Sequence, residues 1–295
     1  MLEIKRILCP IDFSEFSVRA YRHALSLAEH YQAKLVAQNV VEVWRHPSAS
    51  FAASASLYTE YCQSLAGYAA EQLEKFAKDH AQNEVQPELV VQEGTAADAI
   101  LSFAEAQKAD LIVMGTHGLR GFDRLMLGSA TDRVMRRAPC PVLAVREPPP
   151  GSAGAGQQRH THHLNRILAC TDFSPNSEQA LDYALSATAE YAAELTVLHV
   201  LEEVHSAAKA DEAVAAANER LEQLIPPERR KELKIKTAVR IGKAYPQIVQ
   251  FAVETQIDLV TMGVRGRGSL DLAVFGSTTY RVMQLGPCPV LTSHL

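Results

Sequence analysis

Residues 113–135 read VMGTHGLRGFDRLMLGSATDRVM, and residues 261–283 read TMGVRGRGSLDLAVFGSTTYRVM. Each stretch ends an apolar run in glycine, Gly115 or Gly263. A second glycine follows three residues later, Gly118 or Gly266, and a Gly-Ser pair closes the stretch, Gly128-Ser129 or Gly276-Ser277. Glycine after a strand permits close backbone approach and positive φ, so that amide N–H groups can turn toward an anion. A helix that opens at Ser129 or Ser277 adds its own unpaired N–H groups, its dipole and a hydroxyl donor. The chemistry implied is a phosphate cradle built from backbone. The spacing is neither GxxxxGK[ST] nor GxGxxG, which sets aside the usual P-loop and dinucleotide-binding motifs. The alternative is that these glycines only make turns and close helix–strand contacts.

The duplication extends well beyond glycine. Asp110, Leu111, Met114, Asp123, Thr131, Arg133, Val134 and Met135 recur 148 residues later as Asp258, Leu259, Met262, Asp271, Thr279, Arg281, Val282 and Met283. PCPVL occurs at 139 and again at 287. Nearer the start the halves match at an offset of 160, ILCPIDFS against ILACTDFS, which also lays Val40 on Val200. The change of offset gives the first half about twelve extra residues, most simply within HPSASFAASASLYTEY. A repeat of this length is a duplicated domain and not a solenoid unit. The segment 147–163, EPPPGSAGAGQQRHTHH, has no hydrophobic period and reads as a linker. The expected division is therefore 1–146, linker 147–163 and 164–295. His160, His162 and His163 are taken as linker residues and not as a metal site.

Each half alternates strand and helix patterns. In the first, RILCPI is a strand, followed by a helix with Val18, Tyr21, Leu25 and Ala28 on one face. Ser14 and Ser174 suit N-caps, and Pro175 suits a first helical position. Strands follow at KLVAQNVV, ELVVQE, DLIVMG and PVLAV, with helices around 60–79, at 97–107 and from Ser129. The second half repeats the order through ELTVLHV, LKIKTAVR, DLVTMG and PVLT. Continuous β-branched runs between helices predict an α/β fold: two tandem doubly wound domains, each with a five-stranded parallel sheet. With strand order 3-2-1-4-5, ligands bind where the order reverses, at the carboxyl ends of the first and fourth strands. Asp12 and the Gly115–Gly118 loop would then face one crevice.

The glycine spacing, Asp12 in PIDFSE, Asp172 in CTDFSP and the PCPVL strands together resemble the universal stress protein family in its tandem, ATP-binding form. The resemblance spans nearly the whole chain outside the linker. It implies the adenine nucleotide alpha hydrolase-like fold and ATP, with or without Mg²⁺, in each half. Asp12 and Asp172 would lie near the nucleoside, with Pro10 beside adenine and the backbone of Val40 and Val200 contacting it. Gly115, Gly118, Gly128 and Ser129, with Gly263, Gly266, Gly276 and Ser277, would contact ribose and phosphate. Ala130 and Thr278 would add backbone donors. Cys170 replaces Pro10 in the second half, which points to the second site as the weaker.

Arg120, Arg124, Arg265 and Arg267 either neutralise phosphate or remain solvated loop cations. His117 becomes Arg265 in the other copy, so no repeated acid–base group is seen. Asp123 and Asp271 read as loop caps. No HxGH and no SGGxDS, marks of the fold's transferase and ATP-pyrophosphatase relatives, occurs. The expected function is a non-enzymatic stress-response module that binds ATP and alters its contacts with a protein partner. The alternatives are a slow ATPase or nucleotidyl-transfer enzyme, or a relative acting only through protein contacts. The resemblance also implies that PVLAV and PVLT pair within the chain, with a homodimer of chains as a further option.

Composition agrees with this reading. Of 295 residues, 47% are apolar and 21% charged, as in soluble globular proteins. A net charge of -5 supplies no general attraction to nucleic acid or anionic lipid. No apolar run approaches the roughly 20 residues of a membrane span. MLEIKRILCPID lacks a signal-peptide core, and the five cysteines form no CxxC pair, which together predict free thiols in the cytoplasm.

Overall fold

A computed structural model describes residues 3–42, 55–82, 84–117, 127–146, 164–202, 207–265 and 276–293. The first half runs β1 (Arg6–Pro10), α1 (Glu15–Tyr31), β2 (Lys34–Val41), α2 (Ala55–Asp79), β3 (Glu88–Glu93), α3 (Ala96–Ala106), β4 (Leu111–Gly115), α4 (Ser129–Arg137) and β5 (Val142–Val145). The second runs β6 (Arg166–Cys170), α5 (Pro175–Tyr191), β7 (Glu194–Leu201), α6 (Ala207–Leu224), α7 (Pro227–Glu232), β8 (Lys234–Ile241), α8 (Ala244–Glu254), β9 (Leu259–Gly263), α9 (Ser277–Leu285) and β10 (Val290–Ser293). Among the described residues the short α7 has no counterpart in the first half, and no periodicity announced it. The expected linker falls outside the described residues.

Within each half the strands are parallel and ordered 3-2-1-4-5, as expected from the sequence. The last strands meet antiparallel, with Val142 opposite Thr292, Leu143 opposite Leu291 and Ala144 opposite Val290. The two sheets thereby join into one of ten strands, β3-β2-β1-β4-β5-β10-β9-β6-β7-β8. That pairing also covers two short apolar edges that would otherwise be open to association.

Alternation along the strands divides the interior into two layers. Ile7, Cys9, Leu111 and Val113 face α1 and α2, where Tyr21, Leu25, Leu73 and Phe76 are buried. Leu8, Ile112 and Met114 face α3 and α4, where Ile100, Val134 and Met135 are buried. Each layer continues into the other half, through Leu181, Leu185 and Leu221 on one face and Phe251, Val282 and Met283 on the other. Of the predicted α1 face, Tyr21, Leu25 and Ala28 are fully buried and Val18 packs at the margin. Among the described residues no helix is long and apolar enough to cross a membrane.

Serine caps start the first helix of each half. Ser14 Oγ accepts from the Ser17 N–H at 3.2 Å, and Ser174 Oγ from the Ser177 N–H at 3.4 Å. Both helices end in a left-handed residue, Gln32 at φ 50° and Ala192 at φ 50°.

Candidate functional site

The crevice of the first half lies at the carboxyl ends of the neighbouring strands β1 and β4. From β1 the chain passes through Asp12, Phe13 and Ser14 into α1. Asp12 Oδ1 accepts the Ser14 N–H at 3.1 Å and its hydroxyl at 2.6 Å, while Phe13 sits at φ 64°. Asp172 accepts from Ser174 at the same 3.1 and 2.6 Å, with Phe173 at φ 59°. The carboxylate thus shapes the loop that carries it, in both copies.

A second support comes from β2 and β7. Asn39 Nδ2 donates to the Ile11 carbonyl at 2.8 Å. His199 Nδ1 lies 2.8 Å from the Thr171 carbonyl, so this nitrogen must carry the proton. These residues immediately precede Val40 and Val200, which are half-buried at the strand ends. Sequence reasoning passed over Asn39 and His199. Their signal was a polar residue late in an otherwise apolar strand.

From β4 the chain leaves as Gly115, Thr116 and His117 and returns at Leu127. The Gly128 N–H donates to the Thr116 carbonyl at 3.0 Å, and the Gly276 N–H to Val264 at 2.9 Å, closing each loop at its base. Gly118, Gly266, Arg120, Arg124, Arg267, Asp123 and Asp271 lie outside the described residues. Gly128 and Gly276 are the N-caps of α4 and α9, and neither helix start has a side-chain capping bond. The N–H groups of Ser129 and Ala130, and of Ser277 and Thr278, are those a helix's first turn leaves without intrahelical acceptors. Ser129 and Ser277 are exposed there. Asp132, the acidic residue in the first turn of α4, is held by Arg136 through two 2.9 Å bonds.

Both helix starts are fastened to the sheet. Thr131 Oγ1 donates to the Gly115 carbonyl at 3.0 Å, and Thr279 Oγ1 to Gly263 at 2.9 Å. The crevice therefore combines a loop organised by a carboxylate, a strand-end glycine and an uncapped helix start, each in duplicate. Such an arrangement can receive an anion on backbone donors.

The expected positive φ is absent from Gly115, Gly128, Gly263 and Gly276. Gly128 has φ -58° and Gly276 φ -61°, and the positive-φ glycines among the described residues are Gly94 at 141° and Gly242 at 133°. Gly115 and Gly263 are required for packing. A Cβ on Gly115 would stand 2.8 Å from Phe16 Cβ, and one on Gly263 2.8 Å from the backbone of Asn176. The first turn of α1 or α5 occupies that space.

His117 is 5% exposed, with Nδ1 2.9 Å from Thr116 Oγ1 and its ring 5.0 Å from Phe16. Its counterpart Arg265 is half-buried. Pro10 closes β1 and is half-buried, whereas Cys170 closes β6 and is buried, which pushes its thiol upward. Burial likewise pushes Cys140 up to about 12, and all five cysteines are free. These thiols pack as small apolar groups. Among the described residues no three His, Cys, Asp or Glu side chains gather as a metal site.

Comparison with known proteins agrees with the geometry. The sequence pattern of the universal stress protein family matches residues 3–146 and again 163–294. A universal stress protein of Methanocaldococcus jannaschii is 37% identical over 144 residues, covering 49% of this chain and 83% of its own. One from Mycolicibacterium smegmatis is 26% identical over 299 residues, covering 97% of this chain and 95% of its own. The crystal structure of a universal stress protein from Archaeoglobus fulgidus aligns over 97% of this chain and 95% of its own, with a TM-score of 0.64 and 20% identity. The last similarity concerns the fold.

Proposed function

This chain belongs to the universal stress protein family, as a tandem of two such domains, and from that premise we propose that it is a nucleotide-binding regulatory protein that holds ATP in each half. The observation that carries this reading is the duplicated helix start. α4 and α9 begin at glycine without a side-chain cap, and each is tied by a threonine to the strand beside the aspartate loop. Had the sequence served the helix alone, a serine at the cap would have sufficed, as Ser14 and Ser174 do for α1 and α5.

In this reading phosphate oxygens accept from the N–H groups of Ser129 and Ala130, or of Ser277 and Thr278, with the serine hydroxyl as a further donor. Glycine at the cap leaves room for them. A Cβ on Gly276 would already stand 3.1 Å from the Val264 carbonyl, so a side chain here presses on the cradle wall. The base lies against the backbone at Val40 or Val200, with Asp12 or Asp172 near the sugar. Mg²⁺, where present, arrives with the phosphates. Nucleotide occupancy would alter the surface offered to a protein partner in the cytoplasm, and chemistry on the nucleotide is not the purpose.

The test is direct. Freshly purified protein is denatured, and the released nucleotide is identified by chromatography and mass. ATP supports the proposal. AMP or ADP points to turnover or to another ligand, and an empty protein that also ignores added ATP overturns it.

A further inference from the structure

The two halves meet on a pseudo-twofold axis, and the residues on that axis are not alike. α1 and α5 are both 17 residues long, and their equivalent positions differ by 160. His30 is thus the counterpart of Glu190, and Tyr31 the counterpart of Tyr191. These counterparts touch one another. His30 Nε2 lies 2.9 Å from Glu190 Oε1. The His30 ring stacks on Tyr191 with centroids 4.5 Å apart and planes 16° apart. Tyr31 meets Tyr191 edge-on at 6.4 Å. Contact between equivalent positions is the mark of residues at a twofold interface.

We propose that the His30–Glu190 contact selects pairing between unlike halves and so closes the interface within one chain. The partner this surface fits is the opposite half, and the partner it rejects is a second copy of itself. In pairing of like halves, the same axis would bring together two imidazoles or two carboxylates. Two half-buried carboxylates repel, and each loses its donor. Glu190 also stands in the last turn of α5, at the negative end of the helix dipole, and that helix has no basic residue in its last turn. His30 supplies the donor from across the axis.

The consequence is topological. The paired strands β5 and β10 are both four residues long and begin Val-Leu, VLAV and VLTS, and backbone pairing alone distinguishes them poorly. If first halves paired with first halves and second with second, the linkers would tie two or more molecules together, as a closed dimer or a longer chain. Unlike pairing closes the structure within one molecule. This inference concerns assembly and stands whether or not nucleotide binds.

The test uses the full chain with a protease site inserted between residues 150 and 160. After cleavage, the fragments are equilibrated with isotope-labelled fragments, and the pairs are counted by native mass spectrometry. In wild type the ratio of unlike to like pairs should be at least about tenfold above its statistical value of about one, the scale of one charge-assisted hydrogen bond. His30→Glu should move the population toward the statistical mixture, in which about half the pairs are unlike. The exchange His30→Glu with Glu190→His should restore the wild-type excess. If His30→Glu does not fold by circular dichroism, Glu190→His poses the same question with two imidazoles. A wild type that pairs statistically, a single variant that keeps the full excess, or an exchange that fails to recover it would each overturn the proposal.

Discussion

Thr131 Oγ1 reaches back to the Gly115 carbonyl at 3.0 Å, and Thr279 makes the same bond to Gly263 at 2.9 Å. Both hydroxyls are buried, and each joins the first turn of a helix to the end of the strand beneath it. The helix start can present its N–H groups to the crevice only while this bond holds it there.

Thr131→Val keeps the shape and removes the bond. Losing one buried neutral hydrogen bond should cost about 1–2 kcal/mol in urea unfolding. Nucleotide affinity should fall severalfold in the first half and remain unchanged in the second. Thr279→Val should give the converse. Calorimetric titration resolves the two, and a variant that unfolds more easily but binds as tightly at both sites would make the threonine a scaffold residue only.

Much of this was legible in the sequence because it was local. Strand and helix order followed from hydrophobic period, and Ser14 and Ser174 announced the helices that start at the next residue. The doubled spacing exposed Asp12, Asp172 and the glycines. Repetition by itself did not separate site from scaffold. Asp110 and Asp258 recur as faithfully, yet they accept the N–H groups of Lys5 and Arg6, or of Asn165 and Arg166, at the far end of the sheet. The partners of Asn39 and Thr131 lie on other elements, at distances no spacing rule conveys. The need for glycine at 115 depends on where α1 crosses β4, which is a tertiary fact.

Gly115→Ala should therefore harm the fold before the ligand. Its methyl would meet Phe16 Cβ at 2.8 Å and the Phe16 carbonyl oxygen at 3.0 Å, so α1 must shift. A cost of about 1–3 kcal/mol is expected, the range of overpacked cores. Thermal unfolding with and without ATP measures it. Wild-type stability with lost binding would instead mark Gly115 as a ligand contact.

Tyr21 gives a prediction in alkali. Its ring is fully buried, and its hydroxyl has no hydrogen-bond partner among the described residues. Burial, with Cys9 nearby, pushes its pKa from 10.0 up to about 12. The unfolded chain ionises near its ordinary value, while the folded chain holds the proton. Stability from the neutral ring is thus complete below pH 10 and is lost as the pH rises through about 12, by about 2–3 kcal/mol. Tyr21→Phe should be neutral or stabilising at pH 7 and should flatten this loss. Urea midpoints at pH 9 and 11 decide it, and an unchanged slope would refute the assignment.

ATP hydrolysis should be slow beside ordinary enzymes, whose median turnover is about 10 per second. Among the described residues no base–nucleophile pair recurs in both halves, and His117 is enclosed by Thr116 and Phe16 where the second half has Arg265. Turnover near that median, surviving repurification and abolished by Gly128→Asp, would replace the binding module with an enzyme.

The two cradles should bind two ATP molecules per chain. Gly128→Asp tests the first with little harm to the fold, because φ -58° and ψ 142° suit an ordinary N-cap residue. Aspartate would cap α4 itself and stabilise it by about a few tenths of a kcal/mol, while its charge would repel phosphate from the same N–H groups. Gly276→Asp tests the second, with some strain from the Val264 carbonyl 3.1 Å from the new Cβ. Each single variant should titrate to one ATP per chain, and the double variant to none. With Cys170 in place of the proline at position 10, the second site is expected to be the weaker, so Gly276→Asp should abolish the shallower phase of the titration. Should wild type saturate at one ATP and Gly276→Asp leave that binding intact, the second cradle would be an inherited scaffold, and the first half alone would hold nucleotide.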